Sequence, residues 1–320
     1  MKAQNTSVLA CDRDSIAKAA RLVLAGEPVA VPTETVYGLA ADATDEDAVA
    51  RIYAAKGRPS FNPLIVHVPG VEQAEHYAVF SKPARALASA FWPGALTLVL
   101  PLRPGAGLAA AVTAGLPTVA LRCPAHPAMQ ALLAATSRPL AAPSANASGG
   151  LSPTRAEHVL ASLGGRIGLI LDGGPTERGL ESTIVAVDES GVRLLRPGPI
   201  SLEEIEAVAG FRLSAQRSTN GKIEAPGQLA SHYSPAKPLR IDAEAAATDE
   251  WLIGFGAMAC DDNLSGSAIL EEAAMILFEA LHRADAQDRP RIAVARIPDE
   301  GIGIAINDRL RRAAAPKGES

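Results

Sequence analysis

Aromatic residues are scarce in this chain, at 4% of 320 positions, and the six Phe, four Tyr and two Trp form no cluster. A surface that reads single-stranded nucleic acid by stacking needs such a platform, so the composition argues against one. The net charge of −5 removes the global basic field expected of a nucleic-acid binder. Only three cysteines are present (Cys11, Cys123, Cys260), far apart and without C-x-x-C or zinc spacing. They read as ordinary thiols in a reducing compartment, not as a disulfide frame. No apolar run approaches a membrane span, and the start Met1-Lys-Ala-Gln-Asn-Thr-Ser-Val-Leu-Ala10 lacks a signal-peptide core. The expected location is therefore cytoplasmic. Also missing are G-x-S-x-G, H-E-x-x-H and G-x-G-x-x-G. Gly174-Pro-Thr-Glu-Arg-Gly179 has Walker A glycine spacing without the Lys-Ser/Thr that must follow.

What remains is a hydrophobic fraction of 48% and a length that accommodates two domains. Periodicity predicts helices over 14–26 with Asp14 as N-cap, 45–56 ending at Gly57, 83–91, 126–135 and 154–163. Ser201-Leu-Glu-Glu204 is a capping box opening a short helix over 202–208. Strands are expected at 26–31, 64–68, 95–100, 118–122, 139–142, 167–171, 183–188 and 192–196. Residues 213–238 are turn-rich and weakly periodic, and read as a linker. Beyond it come a strand at 251–255, a helix at 271–286, a strand at 291–297 and a helix at 303–314. The mixture is an α/β layer architecture. Its expected units are a domain over 1–212, the linker, and a small domain over 239–320.

The chemistry lies at strand ends. Gly26-Glu-Pro-Val-Ala-Val31 runs into Thr33, Glu34, Thr35 and Tyr37, where open α/β sheets bind ligands. A polar turn explains that stretch equally well by itself. The Lys56-Gly-Arg58 pair with Asn62 and His67 adds the character of an anion site: a helix dipole accounts for one cation but not both. Thr118-Val-Ala-Leu-Arg122 delivers an arginine to a strand end, where burial demands a carboxylate or phosphate partner. Ala142-Pro-Ser-Ala-Asn146 and Ser182-Thr183 supply small hydroxyls, and Leu194-Leu-Arg196 another strand-end cation. Read from residues alone, this is an α/β protein with a phosphate- and carboxylate-binding cleft. The reaction stays open.

The ordered series Pro32-Thr-Glu-Thr-Val-Tyr-Gly-Leu39, Lys56-Gly-Arg-Pro59, Asn62-Pro-Leu-Ile-Val-His67, Trp92-Pro-Gly94, Thr118-to-Arg122, Ala142-to-Asn146, Glu181-Ser-Thr183 and Leu195-Arg-Pro-Gly198 resembles the YrdC-like threonylcarbamoyl-AMP synthase family. His232-Tyr-Ser-Pro235 and Gly301-to-Leu310 resemble its long two-domain form. The resemblance implies a twisted mixed-sheet YrdC-like domain followed by a small Rossmann-like domain. It implies ATP, L-threonine and bicarbonate as substrates, and threonylcarbamoyl-AMP and pyrophosphate as products. The product would pass to the threonylcarbamoyl-transferase machinery acting on adenosine 37 of tRNAs that read ANN codons. Carried over by position, Thr35, His67, Arg122, Ala142 and Ser182 would bind threonine. Arg58, Asn62, Thr118, Ser144, Ser152 and Arg196 would face ATP, with Lys56 and Arg58 on the phosphates. Mg²⁺ would accompany ATP, held by phosphate oxygens and water without protein side-chain ligands, and no organic cofactor is implied. His232 and Tyr233 are the lid candidates, because Leu229-Ala-Ser231 departs from the tyrosine and basic residues common there. Two other readings are an RNA-binding module and a carbamoyl-transfer maturation factor. The latter lacks here its acylphosphatase and zinc-finger neighbours.

Overall fold

The computed structural model describes residues 5–188, 191–210, 223–228 and 231–316. The parts of the expected linker at 213–222 and 229–230 lie outside them, as do residues 1–4, 189–190, 211–212 and 317–320. Ten strands form one mixed sheet. In chain order they are β1 (Ser7–Ala10), β2 (Val29–Val31), β3 (Gly38–Asp42), β4 (Ile65–His67), β5 (Leu96–Pro101), β6 (Thr118–Arg122), β7 (Leu140–Ala141), β8 (Leu169–Asp172), β9 (Thr183–Asp188) and β10 (Gly191–Arg196). Their spatial order is β1-β8-β2-β3-β7-β4-β6-β5-β9-β10.

Local chemistry explains where several elements start and stop. β2 begins at Val29, later than the expected Gly26, directly after Pro28, which has no N–H to give a ladder. The first helix is Arg13–Leu24, and its N-cap is Asp12, not Asp14: the Asp12 carboxylate accepts from the Ser15 N–H at 2.8 Å. Asp14 falls in the first turn, where it complements the helix dipole. Helix Glu46–Lys56 is capped by Asp45 and closes at Gly57, and Ser201 and Glu204 form the reciprocal capping box of Leu202–Ala209.

One face of the sheet packs on a large core that includes Leu39, Ile52, Leu64, Leu98 and Leu121. The other meets helices Arg13–Leu24 and Pro127–Thr136 through Val23, Met129 and Leu132. A smaller apolar patch of Ile65, Val99, Ala120 and Ile184 is covered by Ala225 from the region after the sheet. A second sheet holds β11 (Leu239–Ala243), β12 (Glu250–Gly254), β13 (Asp262–Asn263) and β14 (Arg291–Ala295), all parallel, in the order β11-β14-β12-β13. Helices Leu270–Asp285 and Gly303–Ala314 belong to it. Its core takes in Leu277, Phe278 and Ile306, together with Tyr233 and, from the larger unit, Leu151 and Leu180.

Candidate functional site

Parallel pairing of β4 with β6 sets His67 directly opposite Arg122. Side chains alternate along strands, so Arg122, Ala120 and Thr118 share one face, beside His67 and Ile65. Arg122 is buried, and an unpaired buried guanidinium is strongly unfavourable. Its partner comes from the loop between β2 and β3: Nη2 donates to a Glu34 carboxylate oxygen, and Nε donates to the Gly94 carbonyl at 3.2 Å. The other Glu34 oxygen accepts from the Ala125 N–H at 3.1 Å. Burial pushes the Glu34 carboxyl up, but the Arg122 charge and these hydrogen bonds outweigh it and hold Glu34 below the usual carboxylate range. The same loop is shaped by Thr33, whose hydroxyl donates to the Val36 carbonyl at 2.6 Å and accepts the Thr35 and Val36 N–H groups. That turn aims Thr35 into the cleft.

Two further cations reach the cleft without a carboxylate. Arg58 donates to the Asn62 carbonyl, the Asn62 amide oxygen at 2.7 Å and the Pro63 carbonyl. Arg196, closing β10, donates through Nε and Nη2 to the Ser182 carbonyl and through Nη2 to its hydroxyl at 3.2 Å. Ser182 Oγ also shares a hydrogen bond with Thr97 Oγ1 at 2.7 Å, so its partners are a hydroxyl and a cation, not a histidine base. Gly198 makes this junction possible: a Cβ there would lie 2.4 Å from the Thr183 nitrogen. Among the described residues neither Arg58 nor Arg196 forms an ion pair. Burial lowers the Arg58 guanidinium to about 10, although the Tyr53 hydroxyl opposes the shift.

The cavity volume of the cleft is about 50 Å³. Of the sequence-derived residues it gathers Thr35, Arg58, His67, Arg122, Ala142, Ser144, Ser182, Arg196, His232 and Tyr233 on its walls. Val36, Ile65, Pro143, Glu181, Pro226 and Gly227 complete it. Lys56, Asn62, Thr118 and Ser152 are not on the wall. Lys56 Nζ is committed to the Ser144 and Asn146 carbonyls, each at 2.6 Å, and burial, then the Arg58 charge, lower its pKa well below the ordinary lysine value. Asn62 sits behind Arg58, and Ser152 behind Glu181, to which its hydroxyl donates. Thr118 stands at the opposite end of β6 from Arg122.

His67 and His232 are both buried, and each has an Nδ1 with no hydrogen-bond partner. Burial holds each near pKa 3, reinforced by Arg122 at His67 and by Arg58, Lys56 and Arg196 at His232. Both rings are therefore neutral near pH 7. Tyr233 reaches over the site, its hydroxyl 3.4 Å from Arg196 Nη1, and its ring packs against His232 with centroids 4.2 Å apart. Among the described residues no group of three or more His, Cys, Asp or Glu is arranged to hold a metal ion. None of their helices is long and apolar enough to cross a membrane.

Two family models match the chain. One, described as Telomere recombination, covers residues 21–198; the other, described as Threonylcarbamoyl-AMP synthase, C-terminal domain, covers residues 200–315. A threonylcarbamoyl-AMP synthase of Bacillus subtilis is 43% identical, over 97% of this chain and 95% of its own length. The chain belongs to the threonylcarbamoyl-AMP synthase family. The Pyrococcus abyssi threonylcarbamoyl-AMP synthase is 41% identical over 92% of this chain and 93% of its own. A crystal structure of P. abyssi Sua5 complexed with L-threonine superposes with a TM-score of 0.86 at 39% identity, covering 97% of each chain.

Within this synthase fold, several working residues escaped the sequence reading. In the sequence Glu34 reads as part of a polar loop, but its pairing with Arg122 depends on a contact across 88 positions. A charge-balance argument gives its signal, because a strand-end arginine requires a carboxylate. Thr97 lies inside an apolar strand, and Arg309 inside a basic terminal helix. Thr97 carries no local signature, and Arg309, although inside the Gly301-to-Leu310 stretch, carries none that names its partner.

Proposed function

We propose that this chain is a nucleotidyltransferase that joins L-threonine, bicarbonate and ATP into threonylcarbamoyl-AMP, with release of pyrophosphate and water. The observation that carries this reading is the division of charge in one small cleft. Arg122 is a cation paired with Glu34, beside neutral His67. Arg58 and Arg196 are buried cations with no carboxylate partner among the described residues. A zwitterionic amino acid suits the first place, its carboxylate taking hydrogen bonds from Arg122, with Thr35, His67, Ala142 and Ser182 around its side chain and amine. A triphosphate suits the second, with Arg58 and Arg196 forking onto its oxygens and Ser144 nearby.

The threonine amine captures bicarbonate as a carbamate with loss of water. A carbamate oxygen then attacks the α-phosphorus, and the bond to the bridging oxygen of pyrophosphate breaks. Such a step calls for anion stabilisation and water exclusion, not for a covalent nucleophile. Lys56 acts indirectly, by fastening the Ser144–Asn146 loop. Asn62 orients Arg58, and Ser152 orients Glu181. Thr118 marks the direction in which the nucleotide extends along β6. His232 and Tyr233 serve as a lid over the reacting groups. Mg²⁺ would accompany the triphosphate, held by phosphate oxygens and water, because the wall's one carboxylate among the described residues, Glu181, is committed to Ser152 and Arg309; it would neutralise phosphate charge. The product is then handed to the machinery that threonylcarbamoylates tRNA, in the cytoplasm.

Pyrophosphate release measured with ATP, bicarbonate and each amino acid in turn tests the reading. Release should require both L-threonine and bicarbonate. Serine should be weaker by about 1–3 kcal/mol of discrimination, the value of one methyl in a pocket. Equal release without an amino acid would mean simple nucleotide hydrolysis and would sink the proposal.

A further inference from the structure

Arg309 belongs to helix Gly303–Ala314 of the smaller unit, yet it is fully buried and its hydrogen bonds beyond that helix run to Glu181 and Pro197 beside the cleft. Its Nε donates to Glu181 at 2.8 Å across 128 positions of sequence. Nη1 donates to the Pro197 carbonyl at 2.8 Å and to Asp308 at 3.0 Å. The guanidinium carbon lies 5.3 Å from the centroid of the Tyr233 ring. Two of those targets adjoin Arg196 of the nucleotide side: Pro197 follows it, and Tyr233 is within hydrogen-bond reach of it, while Glu181 precedes Ser182 of the threonine side. Glu181 in turn holds the Ser152 hydroxyl, and His282 of the smaller unit meets the Ser152 carbonyl at 3.2 Å. The planar fork of arginine reaches a carboxylate, a carbonyl and an aromatic face at once, which an ammonium cannot.

We propose that Arg309 is a positioning residue through which the second domain completes the ATP side of the site, locking Glu181, the Arg196–Pro197 turn and Tyr233 into one arrangement. The proposal rests on the synthase reading for the identity of the ligand. Its geometric basis is the convergence of three contacts from one side chain that is not on the cleft wall. Arg309 touches nothing on the Arg122–Glu34 side, so its loss should divide the two ligands unequally. General loosening of the fold would weaken both.

The test compares the full-length chain with Arg309→Met and Arg309→Lys, using calorimetric binding of ATP and of L-threonine, steady-state pyrophosphate release, and thermal melting to confirm folding. Arg309→Met should lower ATP affinity and kcat/KM for ATP at least thirtyfold while threonine affinity stays within threefold. Arg309→Lys should fall between, because it keeps the Glu181 pair but loses Pro197 and the Tyr233 face. Should Arg309→Met fail to fold, Arg309→Lys decides. Wild-type ATP affinity and kcat in either folded variant would overturn the proposal, as would equal loss of both ligands. Calorimetric binding is independent of turnover, so a wild-type chain without synthase activity refutes the functional reading and leaves Arg309 judged on ATP affinity alone.

Discussion

Removing Arg122 has two consequences that must be separated, because the same guanidinium neutralises Glu34 and is assigned to the substrate carboxylate. Both partners of the ion pair are almost wholly buried, with side-chain exposures of 5% and 6%. Arg122→Ala alone leaves a buried carboxylate with backbone N–H groups but no cation, a type of change that costs about 3–5 kcal/mol of stability. A loss of threonine binding in that variant would be ambiguous. The double variant Glu34→Gln/Arg122→Met removes both charges together and keeps the volume, so most of that stability should return. Threonine binding should not return. A charge-assisted hydrogen bond to an ion is worth about 1.5–3 kcal/mol, which corresponds to an affinity loss of about 10- to 150-fold. Calorimetric titration of the double variant with L-threonine and with ATP, alongside thermal melts, gives the answer. A folded double variant that binds threonine within threefold of wild type, with ATP binding impaired instead, would show that the two halves of the cleft have been assigned the wrong way round.

Arg58→Ala should do the reverse, weakening ATP by about 1.5–3 kcal/mol while threonine affinity stays within threefold; the same calorimetry reads it. Gly227, at φ +84°, faces the Tyr233 hydroxyl, and a Cβ would lie 2.6 Å from it. Gly227→Ala should therefore destabilise by about 1–2 kcal/mol and cut pyrophosphate release more than tenfold; unchanged turnover would argue against a lid. Stability should also fall on mild acidification. His67 and His232 are held near 3 in the fold against an ordinary 6.5, so between these values the unfolded chain binds more protons. This contribution is whole above about pH 6.5 and is lost as pH falls, at about 1.4 kcal/mol per pH unit for each ring. Denaturant midpoints that match at pH 7 and pH 5.5 would contradict it.

Much of the architecture is readable from local signals, and the failures have physical causes. The strands 118–122 and 183–188 stand out as apolar runs between turn residues, and Gly57 and Ser201 mark helix ends without ambiguity. β3, Gly38-Leu-Ala-Ala-Asp42, is not legible in the sequence because it is built of small residues with low strand preference and is held by pairing with β2 and β7. Helices Val71–Tyr77 and Ala110–Thr113 are too short for their periodicity to register. At the site, residue types at strand ends suggest cations and hydroxyls, but the opposition of His67 and Arg122 is a matter of register. So is the choice of Glu34, and not another acid, as the partner of Arg122. Lys56 and Ser152 illustrate the converse: both sit in motifs that point to the cleft, yet both spend their polar atoms on protein groups behind its wall.

Leu151, Leu180 and Tyr233 lie in the same apolar cluster as Phe278 and Ile306. The seam between the two units therefore has an apolar core beside its polar pairs, and splitting the chain there would open hydrophobic surface on each half. Heating should melt both parts in a single cooperative event. A graft that replaces the smaller unit with one from a relative must carry complementary shapes for these three side chains, or the hybrid will associate through the exposed face. Release of product meets the same constraint on a smaller scale: lifting Tyr233 draws an aromatic ring out of a packed interior, so turnover should steepen with temperature more than bond-making alone would dictate.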